Sequence, residues 1–290
     1  MSRNAAISVA RATGQIPAAR PFGKDMANHS FLRAFLASQT DQDVYFYAPP
    51  TGVSARYKDV LPRLTDRLFS PHYLSLNDVQ RLSEPGCLMH LDPHMGRDAW
   101  DRRRIGQRSY SICSLIHTMA GPHNLEAYLE TIVAPVQTWD ALVCTSRAVR
   151  RTLEVMFERW ASYFADRFGA TRLVLPQLPI LPLGVDVDRF RPNDQRRAAG
   201  RAWREKLGVA PGATVVLYLG RLSYLEKTHP TPMFIALEQA ARRSGRPFHL
   251  VLAGWFPAPE HESAIREAMA MYAPSVPMSI VDAREEPAKT

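Results

Sequence analysis

Short apolar runs alternate with amphipathic segments along most of this chain, and this alternation constrains the fold more than any other sequence feature. Strands that are separated by helices are typical of a parallel sheet whose connections cross over its faces. We therefore predict an α/β protein. The predicted strands lie at residues 7–10, 44–48, 87–91, 111–117, 141–145, 214–219, 248–253 and 278–281.

The amphipathic segments between these runs supply the predicted helices. Residues 25–37 place Phe31, Leu32, Phe35 and Leu36 on one face of a helix, as a core-facing helix requires. Ser146 is placed to cap a long helix that runs to about residue 168, because serine is a preferred N-cap residue. Further helices are predicted at 125–133, 195–207, 231–243 and 262–272.

The length of 290 residues indicates two domains, at about 150 residues each. The segment 186–192 is polar, ends in Pro192 and is predicted to be a linker. We place an N-terminal Rossmann-like domain at residues 1–183 and a C-terminal one at 184–290. The second contains three predicted strands, whereas doubly wound domains usually have five or six. Either another element covers the unpaired edge of this sheet, or the second domain is incomplete and the chain is a fragment of a longer protein, which we favour.

Membrane-spanning, secreted and zinc-binding proteins are disfavoured by several absences. No apolar run approaches the roughly 18 residues of a membrane-spanning helix, and Arg11 ends the short apolar start of the chain. Cys87, Cys113 and Cys144 form no C-x-x-C pair, so we expect buried reduced thiols and no metal. These features predict a soluble, cytoplasmic protein.

The net charge of +8 is unevenly distributed. Basic clusters span residues 97–108 and 189–206. Such clusters attract phosphates, anionic lipid surfaces or nucleic acid, and they also occur as solvated helix faces. The sequence carries none of the nucleic-acid-binding motifs, so nucleic acid is the least favoured partner. In the first cluster, the residues that could face an anionic acceptor are Arg97, Arg102, Arg103 and Arg104.

His90, Asp92 and His94 have the period-two spacing that places three metal-capable side chains on one strand face. Pro93 interrupts that strand pattern. Three interpretations stay open: a metal site, a contribution to a ligand cleft and ordinary loop polarity, with the last favoured.

A strand, a glycine and two cations form the most informative local pattern. The predicted strand 214–219 is followed directly by Gly220 and Arg221, and by Lys227 further on. Ligands of open α/β sheets bind at the carboxyl ends of the strands, and the two cations suit a phosphate. Taken alone, the same pattern is also compatible with a purely structural loop.

Two segments in a fixed order resemble retaining nucleotide-sugar glycosyltransferases of family 4. Those enzymes carry a G-V-D-x-x-x-F-x-P segment, and then a strand followed by G-R-L and a lysine. Residues 184–192, which include Gly184, Asp186 and Pro192, match the first segment. The second motif is matched by Gly220, Arg221 and Lys227. The resemblance implies the two-domain GT-B fold. It also implies that Gly184 and Asp186 lie at the domain junction, and that Arg221 and Lys227 contact the donor diphosphate.

The upstream half of the chain is similar to the same family at two further places. Gly23 and Lys24 lie where the family has its glycine-bearing loop after the first strand, which faces the acceptor and the donor phosphates. His117 ends the predicted strand at which the family has a histidine near the transferred sugar. The resemblance therefore implies a sugar contact for His117, although a strand-end histidine with a purely structural role stays an alternative.

The family's Glu-x7-Glu pair, which contacts the donor sugar and ribose, has no counterpart in these 290 residues. The resemblance implies a glycosyltransferase that takes a nucleotide sugar and, with retention, glycosylates a glycan, lipid-linked or small-molecule acceptor. No metal and no other cofactor is expected. Peripheral contact with the inner face of a membrane is a further expectation from the basic clusters. The alternative is a noncatalytic module that binds saccharide or nucleotide and derives from such an enzyme.

Overall fold

The chain folds as two compact units, residues 1–186 and 187–290. The computed structural model describes residues 5–8, 23–48, 61–62, 64–75, 77–119, 121–185, 187–224, 227 and 229–282. Among these residues, no helix combines the length and the apolar character needed to cross a bilayer.

The first unit is built on a six-stranded parallel sheet. The sheet order is β3-β2-β1-β4-β5-β6, so the chain winds outward from β1 to one edge and then returns to β4 beside β1. This is the doubly wound arrangement that the alternating pattern predicts. The elements are β1 (Ala6–Ser8), α1 (Gly23–Ser38), β2 (Asp43–Ala48), β3 (Ser70–Ser75), a 3-10 helix (Val79–Ser83), β4 (Cys87–His90), α2 (Gly96–Ile105), β5 (Ser111–Ile116), α3 (Pro122–Val133), β6 (Ala141–Cys144) and α4 (Arg147–Phe168).

Both faces of this sheet are covered, as its near-continuous apolar strands require. Tyr47 and Leu88 belong to the core on one face, together with residues of α2, α3 and α4. Their strand neighbours Phe46 and Met89 belong to the core on the other face, with Leu32 of α1. Alternate residues of a strand point to opposite faces, which explains the division.

Three local features of the first unit concern an edge strand, a helix cap and the segment after α4. The strand β3 was not predicted, because Pro71 and its polar neighbours give no apolar run. As an edge strand paired with β2, it tolerates a proline. The predicted cap is confirmed, since the Ser146 side chain accepts a hydrogen bond from the Val149 N–H. The segment after α4 extends the sheet through bridges from Gln177 and Ile180 to β6.

The second unit contains a three-stranded parallel sheet in the order β7-β8-β9 among the described residues. Helices α7 and α8 supply Phe234, Leu237, Ile265 and Met269 to a core that also includes Leu250. The elements are α5 (Val187–Phe190), α6 (Asp194–Lys206), β7 (Thr214–Leu219), α7 (Thr231–Ser244), β8 (Phe248–Gly254), α8 (Pro259–Tyr272) and β9 (Met278–Asp282).

The predicted strand at 214–219 is confirmed at both ends. Within the predicted linker 186–192, Val187–Phe190 form one helical turn. The predicted strand 7–10 is confirmed for Ile7 and Ser8, and its last two residues lie outside the described part of the chain.

Arg102 contradicts the prediction of a solvated or acceptor-facing basic cluster on α2. Its side chain has no exposed surface and forms an ion pair with Asp140, which is buried as completely. Arg97 and Arg104 of the same helix are mostly exposed, as expected. Helix α2 therefore directs the Arg102 side chain into the protein, because the Asp140 carboxylate neutralises its charge there.

Candidate functional site

Polar side chains gather at the carboxyl edge of the first sheet, around the reversal of strand order between β1 and β4. Parallel strands end at the same edge, so the residues that follow β4 and β5 lie close together, and α1 follows β1. His117 comes directly after β5, Leu91 directly after β4, and Asn28 lies in the second turn of α1. This edge is where an open α/β sheet binds its ligand.

His117 is half-buried and bonded to a fully buried amide. Its Nε2 lies 2.6 Å from Oδ1 of Asn28, which is only 1% exposed. The Asn28 Nδ2 in turn donates to the Leu91 carbonyl at 3.4 Å. Burial lowers the pKa of His117 below its usual 6.5, against a smaller opposing effect of the Leu91 carbonyl. The imidazole is therefore neutral at pH 7.

Gly23 and Lys24 begin α1 at the same edge. The Lys24 side chain is exposed, and its charge is close enough to contribute to the lowered pKa of His117. A Cβ placed on Gly23 would meet no atom within 4 Å among the described residues. The structure thus brings Lys24 towards His117, and it gives no steric reason for a glycine at position 23.

His90, Asp92 and His94 are engaged within the protein. His90 Nε2 lies 3.1 Å from Oδ2 of Asp98, and the Asp92 side chain accepts a hydrogen bond from the His94 N–H at 3.1 Å. In the described part of the chain, no three His, Cys, Asp or Glu side chains group as metal ligands would. The contacts of these three residues are those of a closely packed polar loop.

In the second unit, the loop after β7 passes over the end of β8. The Gly220 N–H donates to the Ala253 carbonyl and the Leu222 N–H to the Trp255 carbonyl, each at 3.0 Å. A Cβ on Gly254 would lie 1.9 Å from the Gly220 carbonyl oxygen. The approach of the two backbones therefore requires the glycine at position 254.

Arg221 is held at this loop by an aromatic contact. Its guanidinium carbon lies 5.8 Å from the centre of the Trp255 ring, within the range of a cation–π interaction. The Arg221 carbonyl accepts hydrogen bonds from the Ser223 N–H and the Tyr218 hydroxyl, which fixes the backbone beneath it. Lys227 is exposed in the same loop, before α7 begins. The loop between β7 and α7 thus carries two cations.

Gly184 and Asp186 receive no role from the described geometry. Gly184 is exposed, and a Cβ there would meet nothing within 4 Å in the described part of the structure. Asp186 lies outside the described residues. Their assignment to a domain junction stays a prediction.

No family model matches the chain, but curated relatives match part of it. A D-inositol 3-phosphate glycosyltransferase of Nocardia farcinica is 34% identical over 94 residues, which cover 32% of this chain and 19% of the relative. D-inositol 3-phosphate glycosyltransferase 2 of Catenulispora acidiphila is 43% identical over 70 residues, 24% of this chain and 15% of the relative. The matched segments therefore span less than a fifth of these enzymes.

The fold has a solved counterpart. Anabaena HepE, crystallised with UDP, superposes with a TM-score of 0.58 at 13% identity, over 100% of this chain and 71% of HepE. Together with the two parallel-sheet units, this match shows a GT-B-like α/β fold with Rossmann-like units. The chain is thus similar to HepE in fold and, over the matched segments, to glycosyltransferases in sequence.

The sequence interpretation missed two residues that the structure makes prominent, Asn28 and Trp255, and it did not predict the burial of Arg102. Asn28 had a detectable signal, because it lies four and eight residues before Leu32 and Leu36 on the buried stripe of α1. Trp255 comes directly after a buried strand, at the edge where ligands of such sheets bind. The burial of Arg102 depends on a partner 38 positions away and has no local signal.

Proposed function

We propose that this chain belongs to a nucleotide-sugar glycosyltransferase, of the retaining type that family 4 comprises. The observation that carries the proposal is Arg221, in cation–π contact with Trp255 after the end of β7, with Lys227 in the same loop. The donor is a nucleotide sugar, and the acceptor is a glycan, a lipid-linked saccharide or a small alcohol. HepE, the solved counterpart, has been crystallised with UDP and with UDP-glucose, which makes UDP-glucose the first donor to test.

The proposed reaction breaks the bond between the anomeric carbon and a diphosphate oxygen. The electron pair leaves with the diphosphate, while an acceptor hydroxyl forms the new glycosidic bond and releases its proton. Negative charge thus grows on the diphosphate in the transition state, where fixed positive charge stabilises it most. Arg221 and Lys227 supply two such charges, and an arginine can bind two phosphate oxygens at once. The proposal includes no metal or other cofactor.

His117 has the properties of a sugar contact at the other sheet. Being neutral at pH 7 and half-buried, it can hydrogen-bond a hydroxyl without placing a full charge beside the developing oxocarbenium ion. Gly23 and Lys24, at the start of α1, are the proposed acceptor- and phosphate-facing residues of the same unit. These roles rest on the resemblance together with the position of the residues at the carboxyl edge.

A noncatalytic module that binds a saccharide or nucleotide is the second candidate. It needs only the two cations of the loop after β7, Arg221 and Lys227, to hold a diphosphate. Both candidates bind a nucleotide through Arg221, so turnover is the property that separates them.

The test measures binding of UDP and UDP-glucose by calorimetry, and release of UDP in the presence of candidate acceptors. We expect Arg221→Ala to weaken UDP binding at least about tenfold, equivalent to about 1.4 kcal/mol. Arg243→Ala, which removes an exposed arginine from the last turn of α7, is the matched control and should bind as the wild type does. Binding without turnover favours the noncatalytic module. A wild-type chain that binds none of a panel of UDP-, GDP- and ADP-sugars rejects both candidates.

We also propose that α6 makes peripheral contact with an anionic membrane. A cytoplasmic location is a separate prediction. None of the residues of α6 is buried, and its exposed cations include Arg197, Arg201 and Lys206. Each basic residue near an anionic surface contributes about 1 kcal/mol of attraction. Salt-sensitive sedimentation with phosphatidylserine vesicles supports the contact, and equal sedimentation with neutral vesicles contradicts it.

A further inference from the structure

We infer that Asn28 is a positioning residue that fixes His117 as the neutral Nε2–H tautomer, so that Nδ1 is a hydrogen-bond acceptor for a hydroxyl of the ligand. That the hydroxyl belongs to a sugar rests on the proposed function. The tautomer itself follows from the contacts of the two side chains.

The contacts of the Asn28 amide with Leu91 and His117 indicate its orientation. Its Nδ2 donates to the Leu91 carbonyl at 3.4 Å, which leaves Oδ1 facing His117 Nε2 at 2.6 Å. The reverse orientation would place Oδ1 against the Leu91 carbonyl, and two acceptors would then face each other. The side chain is also 1% exposed, so water cannot replace either contact.

An amide oxygen accepts hydrogen bonds and cannot donate one. The short contact with Oδ1 therefore requires a proton on Nε2 of His117. In a neutral imidazole the other nitrogen then carries the lone pair, which makes Nδ1 an acceptor. That the ring is neutral is supported by its burial and by the nearby charge of Lys24, which together outweigh the opposing Leu91 carbonyl and the carboxylates of Asp92 and Asp25.

The His117 Nδ1 is buried and makes no hydrogen bond with any residue that the structure describes. A buried acceptor without a donor is unfavourable, so a donor that reaches it contributes to binding. The atom lies at the junction of the elements that follow β1, β4 and β5, where the strand order reverses. A compound with several hydroxyl groups is the ligand class that brings such donors to this edge of the sheet.

The first test is NMR of protein with 15N-labelled histidine and no ligand, which reports the tautomer of each ring. The signals of His117, one of nine histidines, are assigned by their loss in His117→Gln. We expect the Nε2–H form in the wild type. Asn28→Asp, which keeps an acceptor and adds charge, should raise the pH midpoint of His117. Asn28→Leu should give mixed tautomers.

Gln39→Leu is the matched control, because Gln39 is another buried amide and lies directly after α1. It should leave the His117 signals unchanged. A wild-type His117 in the Nδ1–H form overturns the inference, and so does an Asn28→Leu protein with the wild-type tautomer and midpoint. The wild-type spectrum needs no variant to fold, so the inference stays falsifiable if a substitution unfolds the chain.

The second test adds UDP-glucose and follows His117 Nδ1. A shift of the Nδ1 resonance on binding, absent when UDP alone is added, supports a hydroxyl contact. Binding of UDP-glucose that leaves Nδ1 unmoved overturns the acceptor role and leaves the proposed function standing. If the chain shows the Nε2–H tautomer but binds no nucleotide sugar, the proposed function fails while the positioning role of Asn28 holds.

Discussion

Arg102 and Asp140 form a two-pronged ion pair in which neither side chain reaches solvent. The guanidinium nitrogens lie 2.6 and 2.7 Å from the two carboxylate oxygens. Asp140 also accepts hydrogen bonds from the N–H groups of Ile112 and Gln137, and Arg102 donates to the Tyr110 carbonyl. The pair therefore ties α2 to the starts of β5 and β6.

Removing either partner of this pair should destabilise the chain strongly, because a buried charge is left uncompensated. We expect Arg102→Ala and Asp140→Ala each to lower the free energy of unfolding by about 3–5 kcal/mol, measured by urea denaturation. Arg103→Ala removes an exposed arginine from the same helix together with its cation–π contact with Trp100, and should change this free energy by no more than about 1 kcal/mol. Equal effects of Arg102→Ala and Arg103→Ala would contradict the buried pair.

A methyl group at position 254 should disturb the loop that carries Arg221. In Gly254→Ala the new Cβ would lie 1.9 Å from the Gly220 carbonyl, so the two backbones must separate. We expect a loss of about 1–3 kcal/mol in stability and weaker UDP binding, measured by thermal denaturation and calorimetry.

Gly200→Ala is the matched control in the same unit. Gly200 lies inside α6, and a Cβ there would meet no described atom within 4 Å. The substitution should stabilise the helix by about 0.5–1 kcal/mol. If Gly254→Ala melted no lower than Gly200→Ala, the close approach of the two loops would be refuted.

Stability should fall as the pH drops below about 6.5, where histidines begin to titrate. Burial lowers the pKa of His117 and of His249, so below the usual value of 6.5 the unfolded chain binds more protons than the folded chain. The stabilisation from the neutral rings is therefore present above pH 6.5 and is lost as the pH falls towards their folded pKa values.

Urea denaturation between about pH 7.5 and 5.5 measures this dependence, above the range in which carboxylates with ordinary pKa values titrate. His249→Gln can still bond to Ser279, the partner of His249 Nε2, and should reduce the slope. A free energy of unfolding that is constant over this interval would show that the pKa values of these rings do not differ between the folded and the unfolded chain.

Cys87 should be the most reactive thiol at neutral pH. Cys113 acts as a hydrogen-bond donor that lowers the pKa of Cys87 below its usual range, and the same contact raises the pKa of Cys113. Iodoacetamide at about pH 7 should therefore modify Cys87 ahead of Cys113 and the buried Cys144, as followed by mass spectrometry.

Cys113→Ala removes the donor and should slow the alkylation of Cys87 at this pH. Cys144→Ala is the control, because Cys144 lies on the opposite face of the sheet and should not affect the rate. Identical Cys87 rates in the two variants would mean that the thiols do not interact.

The parts of the fold that could be predicted from the sequence have local signals. The run Thr214–Leu219 is β-branched and apolar and is bounded by glycines at 212 and 220, and its limits agree with the structure. Ser146 precedes a long amphipathic segment, and it caps α4. The carboxyl edges of both sheets follow from the parallel order of the strands, so the general position of His117 and Arg221 could also be predicted.

The parts that could not be predicted depend on contacts between distant residues. β3 is held in the sheet by pairing with β2 and has no apolar pattern of its own. Arg102 is buried because Asp140 lies beneath it, and the bond from Asn28 to His117 joins residues 89 positions apart. A local segment of the sequence therefore does not show which distant residue each of these side chains will contact.

Because Gly254 lies directly against the Gly220 carbonyl, β7 and β8 are sterically coupled and should be exchanged together between related proteins. A chimaera that joins β7 of one protein to β8 of another would set this carbonyl against a foreign residue, and any side chain there would collide with it. Domain exchange or laboratory recombination in this unit should therefore succeed when residues 214–255 are transferred together, and fail when a crossover between the two strands brings a residue other than glycine to position 254.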